Sequence, residues 1–133
     1  MDCHKGTNIL VIAVVILMLT ACNSNESVST VKNGTYVFEQ AGTEVLVSPS
    51  VTISNKEISF TYDALSSYYA VGAYTINGDL LTMSTNDGEY KYVFLIDGDS
   101  LIFRKDESSD VGLINEKFGS KIKNNAEFKL RNE

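Results

Sequence analysis

The residues of this chain able to do chemistry are few in kind. Its 133 residues include two cysteines, Cys3 and Cys22, one histidine, His4, and no tryptophan. From residue 23 onward there is neither thiol nor imidazole. Nucleophile–histidine pairs, histidine acid–base catalysis and zinc sites built from His and Cys are therefore excluded there. Carboxylate, lysine and tyrosine chemistry remain. Asp87 and Glu89, and Asp97 and Asp99, are hard oxygen ligands at turn spacing. Calcium needs about six to eight oxygens converging on one point, and no segment matches a full calcium loop. These acids read as turn residues, and no metal and no cofactor is expected. A carboxylate pair for glycoside hydrolysis is conceivable, but spacing along the chain does not set a separation across a fold. We assign no catalytic residue and expect no enzyme, keeping a carboxylate-dependent hydrolase as the remote alternative.

Tyrosine is the more promising type. Tyr62, Tyr68, Tyr69, Tyr74, Tyr90 and Tyr92 offer apolar faces with polar tips and form a candidate ligand pocket at the mouth of a fold. The competing account is that tyrosine is simply common in strands. Tyr68 and Tyr69 are the best candidates for exposure, because neighbours on a strand face opposite sides.

The formal net charge is −6, unevenly spread. Residues 32–116 hold thirteen acids and five bases, whereas residues 117–133 hold five bases and two acids. An acidic body argues against nucleic acid, whose phosphates call for clustered Lys and Arg. The basic end reads as a solvated face that offsets the acidic body, the alternative being proximity to anionic lipid heads.

Before any fold is built, the N-terminal segment must be set aside. Behind His4 and Lys5, residues 9–19 form an uninterrupted run of eleven apolar residues. A membrane-spanning helix needs about 20, so the run reads as the apolar centre of a signal peptide and the chain as exported. The run ends in Leu19-Thr20-Ala21-Cys22, which resembles the lipobox of bacterial lipoproteins. The resemblance implies cleavage between Ala21 and Cys22, a diacylglycerol on the Cys22 thiol and acylation with palmitate-type chains. It also implies a lipid anchor on the extracytoplasmic face of the cell membrane, with a Gram-positive host favoured by the Lys, Asn and Ile richness. Two or three acyl chains hold a small domain at a membrane where one holds it marginally. The expected organisation is a signal peptide over 1–21, a lipidated Cys22 with a polar flexible tether over 22–32, and one domain over 33–133. With Cys22 acylated, that domain has no disulfide and relies on its apolar core.

From Gly34 onward the apolar pattern has period two. Tyr36 and Phe38, Val51 and Ile53, Ile58, Phe60 and Tyr62, then Tyr90, Tyr92, Phe94 and Ile96 each alternate with mostly polar residues, as half-buried strands do. Leu101 and Phe103 continue the pattern, and residues 127–131 read as a closing strand with Phe128 and Leu130 inward. Asn55-Lys56, Asn77-Gly78-Asp79, Asn86-Asp87-Gly88-Glu89 and Asp97-Gly98-Asp99 are hairpin turns, rich in residues that tolerate positive φ. Pro49 lies near a break between residues 45–47 and 51–53, which read either as two short strands or as one bent edge strand. Residues 111–123 fit either a short helix or an irregular excursion. The chain thus predicts an all-β, antiparallel up-and-down meander of about eight strands. Closing it into a barrel removes both free edges, and a two-sheet β-sandwich is the alternative.

Gly34-Thr35-Tyr36, the stretch from Gly72 to Met83 and the stretch from Tyr92 to Leu101 resemble the small lipocalin-like domains of uncharacterised bacterial lipoproteins. The likeness spans about residues 33–131 and implies a barrel without specifying an activity. Larger lipocalins carry Gly-x-Trp on the first strand with an Arg of the last strand over the Trp. Tyr36 stands where that Trp would be, and Lys129 or Arg131 is the expected cation.

Eight strands enclose room for side chains or for one small ligand. The leading expectation is a membrane-anchored module binding a small ligand at the cell envelope. The alternative is an accessory protein with a solid barrel that contacts another envelope protein. A core filled by Phe38, Phe60, Phe94, Phe103 and Leu101 favours the second, and a connected cavity with an open mouth favours the first.

Overall fold

The computed structural model describes residues 28–38, 48–117, 119 and 121–132. Within them the chain forms eight antiparallel strands: β1 (Gly34–Phe38), β2 (Ser50–Ser54), β3 (Glu57–Thr61), β4 (Ala70–Asn77), β5 (Leu80–Thr85), β6 (Lys91–Asp97), β7 (Ser100–Phe103) and β8 (Glu127–Leu130). Each pairs with the next, and β8 pairs back to β1, so the sheet is a closed up-and-down barrel rather than a sandwich. Among the described strands, closure leaves no free edge to recruit another chain.

The turns form where positive φ is available. Asn55, Gly78, Gly88 and Gly98 all adopt it, and each lies in one of the short connections anticipated from composition. The region expected as Val45-Leu46-Val47 lies outside the described residues. The long β7–β8 connection is irregular, apart from one 3-10 turn at Lys105–Glu107. It nevertheless contributes buried Val111 and Ile122 to the core. It also completes β6: the Ser108 and Ser109 hydroxyls accept hydrogen bonds from the Val93 and Lys91 N–H groups at 2.8 and 2.9 Å.

Period two places Val51, Ile53, Ile58, Phe60, Leu81, Met83, Tyr92, Phe94, Leu101, Phe103 and Phe128 in the interior. Phe60 is the hub. Its ring lies 5.0–5.9 Å from the rings of Tyr62, Tyr92, Phe94, Phe103 and Phe128, mostly tilted or edge-on as the ring quadrupole prefers. Small residues on β4 make the room: Ala70 is opposite Phe60 and Gly72 opposite Ile58. A Cβ on Gly72 would lie 1.9 Å from the Ser84 carbonyl oxygen, so only glycine allows β4 and β5 to approach there. The middle of the barrel is therefore filled by side chains.

The first strand departs from expectation. Tyr36 is buried, but the β8 residue opposite it is Leu130, while Lys129 is opposite Val37. Phe128 and Leu130 point inward, so alternation turns Lys129 outward, away from Tyr36. Leu130 instead fills the space above Gly34, where a Cβ would meet its Cδ1 at 2.8 Å. The Tyr36 hydroxyl turns away to donate to the Lys32 carbonyl oxygen at 2.8 Å.

Candidate functional site: a tyrosine-lined cleft at one end of the barrel

In an up-and-down barrel, successive connections alternate between the two ends. The β2–β3, β4–β5 and β6–β7 turns share one end with the start of β1 and the finish of β8. The longer β3–β4, β5–β6 and β7–β8 connections share the other. We call these the turn end and the loop end.

The stretch expected as a flexible tether is docked over its described part, at the turn end. The Ser29 N–H donates to the Gly78 carbonyl oxygen at 3.0 Å, and the Asn55 N–H donates to Asn33 Oδ1 at 3.0 Å. Lys32 Nζ lies 2.9 Å from an Asp99 carboxylate oxygen, and Val31 packs against the core. The ion pair is largely exposed and contributes little by itself. The backbone bonds and Val31 hold the segment. A polar hollow of about 300 Å³ beside it is lined by residues 33–35 and 130–132.

The loop end carries the cleft. It has a volume of about 280 Å³ and is lined by residues 60–64 and 66–69. Its floor is the inner-core Phe60, and Tyr62, Tyr68 and Tyr69 flank it. Strand β3 delivers Phe60 and Tyr62, and the loop that follows is shaped by Asp63. That side chain is buried; Oδ1 accepts from the Leu65 N–H at 2.9 Å and Oδ2 from the Ile114 N–H at 2.8 Å. Asp63 thus ties the cleft wall to the β7–β8 connection, 51 residues away in the chain.

Tyr90 and Tyr92 continue the aromatic wall. The Tyr68 ring meets the Tyr90 ring edge-on at 5.2 Å, Tyr90 stacks on Tyr92 at 6.4 Å, and Tyr92 lies 6.2 Å from Tyr62. The Tyr68 hydroxyl donates to Asp87 Oδ2 at 2.7 Å. Asp87 is held in turn by the Thr85 hydroxyl at 2.6 Å and the Glu89 N–H at 3.0 Å. Those donors, the Thr85 hydroxyl first, keep the Asp87 carboxyl below the usual aspartate range. The same carboxylate raises the Tyr68 phenol above the usual tyrosine range. Deeper in, the Tyr92 hydroxyl is buried without a hydrogen-bond partner. Burial first, and then the nearby Tyr62 hydroxyl, push its ionisation well above the ordinary tyrosine value. The Tyr62 hydroxyl is close enough to weigh on that ionisation but does not make a well-formed bond to it. An unmet buried hydroxyl costs about 1–3 kcal/mol.

Of the six tyrosines singled out from the sequence, five thus gather at the loop end. Tyr74 is separate: its hydroxyl donates to the Asn55 carbonyl oxygen at 2.8 Å, at the turn end. Tyr68 and Tyr69 are 39% and 62% exposed, from a loop rather than from a strand. Sequence reasoning missed Asp63 and Thr85. An aspartate at a strand end followed by Ala-Leu-Ser-Ser carries an Asx-turn signal that points to the first. Ala21 and Cys22 lie outside the described residues. Among those described, no helix is long and apolar enough to cross a membrane, and no three His, Cys, Asp or Glu side chains gather as a metal site. No family model, curated protein or solved structure matches this chain.

Proposed function

We propose that this chain is a membrane-anchored extracytoplasmic lipoprotein, held by a lipid on Cys22, which recognises a small ligand at the loop end of a solid barrel. By the criterion drawn from the sequence, the filled interior counts against a carrier that encloses its cargo. What survives of ligand binding is a site at the mouth. The observation that carries this reading is the cleft over Phe60, flanked by Tyr62, Tyr68 and Tyr69, at the end opposite the docked tether. A lipid at Cys22 would attach from the turn end, so the cleft lies at the end of the barrel remote from the attachment. Its volume is just under the range usual for drug-sized ligands, about 300–1,000 Å³, which suits a small ligand. The test is native mass spectrometry of the protein purified from its own host: a retained small molecule lost on Tyr68→Ala and Tyr69→Ala supports the reading. A clean mass that persists after incubation with envelope extracts refutes it.

The filled interior and one further observation favour a second reading, contact with an envelope protein. Leu65, Tyr68, Tyr69, Tyr90 and Ile114 are all exposed and all belong to loop-end connections, forming an apolar rim rich in the residue types that anchor interfaces. Crosslinking from a photoreactive residue at Tyr69 separates the two readings. A discrete protein adduct in cells supports the second, and its absence beside a bound small molecule supports the first.

A further inference from the structure

Resting on the ligand-binding reading above, we infer that the loop-end cleft is a site for an organic ammonium ion, held against tyrosine faces. Three features of the cleft select the charge and class of its occupant. The first is aromatic surface. Tyr62, Tyr68 and Tyr69 line the opening, and the face of a tyrosine ring carries negative quadrupole density that attracts a cation within about 6 Å of its centre. The Tyr68 and Tyr69 rings are substantially exposed, so their faces are available to a ligand.

The second is the charge around those rings. Among the described residues, no lysine, arginine or histidine lines the cleft. Asp63 is the one carboxyl among the described residues of its wall, and both its oxygens already accept backbone N–H groups. It therefore supplies negative potential from a position fixed by the backbone. Asp87 adds to this through Tyr68: a phenol donating to a carboxylate at 2.7 Å gains electron density in its ring, which strengthens the attraction of that face for a cation. An anion would meet the Asp63 carboxylate and, among the described lining residues, no positive partner. A fully neutral apolar ligand would leave this arrangement of charge unused.

The third is size and wetness. A volume of about 280 Å³ takes a compact headgroup and not a long acyl chain. Ser66 and Ser67 hydroxyls at the rim are available to a ligand's hydroxyl or to bridging water. A weakly hydrated alkylammonium suits aromatic walls better than a metal ion, which would need several oxygens converging on one point.

The test is a titration of the full chain in detergent with choline and with its uncharged carbon isostere dimethylbutanol. It is read by the ring resonances of Tyr68 and Tyr69. The expected result is saturable choline binding that shifts both rings, with the isostere at least about tenfold weaker. Tyr68→Ala is expected to weaken choline about tenfold. Tyr68→Phe, which keeps the ring but loses the bond to Asp87, is expected to fall between Tyr68→Ala and the unaltered protein. Equal affinities for choline and the isostere would overturn the ammonium assignment while leaving a small-ligand cleft intact. No perturbation of either ring by either compound at tens of millimolar would overturn the assignment together with the cleft. Both tyrosines are exposed loop residues, so folding of the variants is checked by the unchanged core resonances.

Discussion

Replacing Phe60 with alanine tests whether this barrel is a solid body. Phe60 is buried, has five aromatic neighbours within 6 Å, and forms the floor of the cleft. Truncating a buried phenylalanine costs about 3–5 kcal/mol, combining lost transfer energy with the cavity left behind. Five ring contacts place Phe60 toward the top of that range, since edge-on pairs add to the area they bury. Water entering from the cleft would relieve part of the cost, because the new space opens to the mouth instead of being sealed. We expect a net loss of about 3–4 kcal/mol. Domains of this size lose about 1–3 kcal/mol of stability per molar urea, so the midpoint should fall by about 2 M. Phe60→Leu, closer in volume, should cost about 1–1.5 kcal/mol. Equilibrium urea unfolding followed by tyrosine fluorescence measures both. A loss under about 1 kcal/mol for Phe60→Ala, at an unchanged denaturant slope, would refute a core organised around this ring.

Four other perturbations test other links. Cys22→Ser should release the protein from the membrane fraction or leave an uncleaved precursor; fractionation that still finds a processed, membrane-bound form would disprove acylation there. Removing residues 126–133 takes away β8, which pairs with both β1 and β7; it should cost several kcal/mol or cause aggregation, and an unchanged thermal midpoint would argue against closure. Asp63→Ala should cost about 2–3 kcal/mol by stranding the Leu65 and Ile114 N–H groups, and should speed amide exchange at both positions. Asp87 titrates lower in the folded protein than in the unfolded chain, so its contribution is complete above the unfolded value, about 3.9, and fades as pH falls through the lower folded value. The stability difference between the unaltered protein and Asp87→Asn should therefore shrink from pH 5 to pH 2; a difference constant over that window would show that the carboxylate charge is not what holds the turn.

Period two along β2, β3 and β6, and Asn or Gly at the turns, made the strands legible. Closure was legible from the cost of free edges. The fate of Lys129 was also within reach, since placing Phe128 and Leu130 inward already sends it out. The tyrosine site was only half legible. Residue type nominates six candidates, but which of them meet depends on the end of the barrel each one occupies. Tyr74 points toward Asn55 because it sits on the half of β4 nearer the turn end. Asp63 was half legible for a different reason: its turn to Leu65 carries an Asx signal, and its other contact does not. Its second partner, Ile114, lies in a stretch with no periodic pattern, and a contact across 51 residues leaves no local trace.

The opposition of tether and cleft makes the barrel a spacer of fixed height. The longest strand, β4, has eight residues; at about 3.3 Å per residue and a tilt of about 40°, it lifts the loop end about 20 Å above the turn end. Seven peptide links separate Cys22 from docked Ser29, an extended reach of at most about 25 Å. If Cys22 carries the proposed lipid, the tether sets the farthest reach of the cleft, and the strands set its height when the turn end rests on the bilayer. Lengthening the tether would raise only the upper bound. On that anchor, whatever the cleft meets comes within a layer a few tens of ångströms deep above the bilayer.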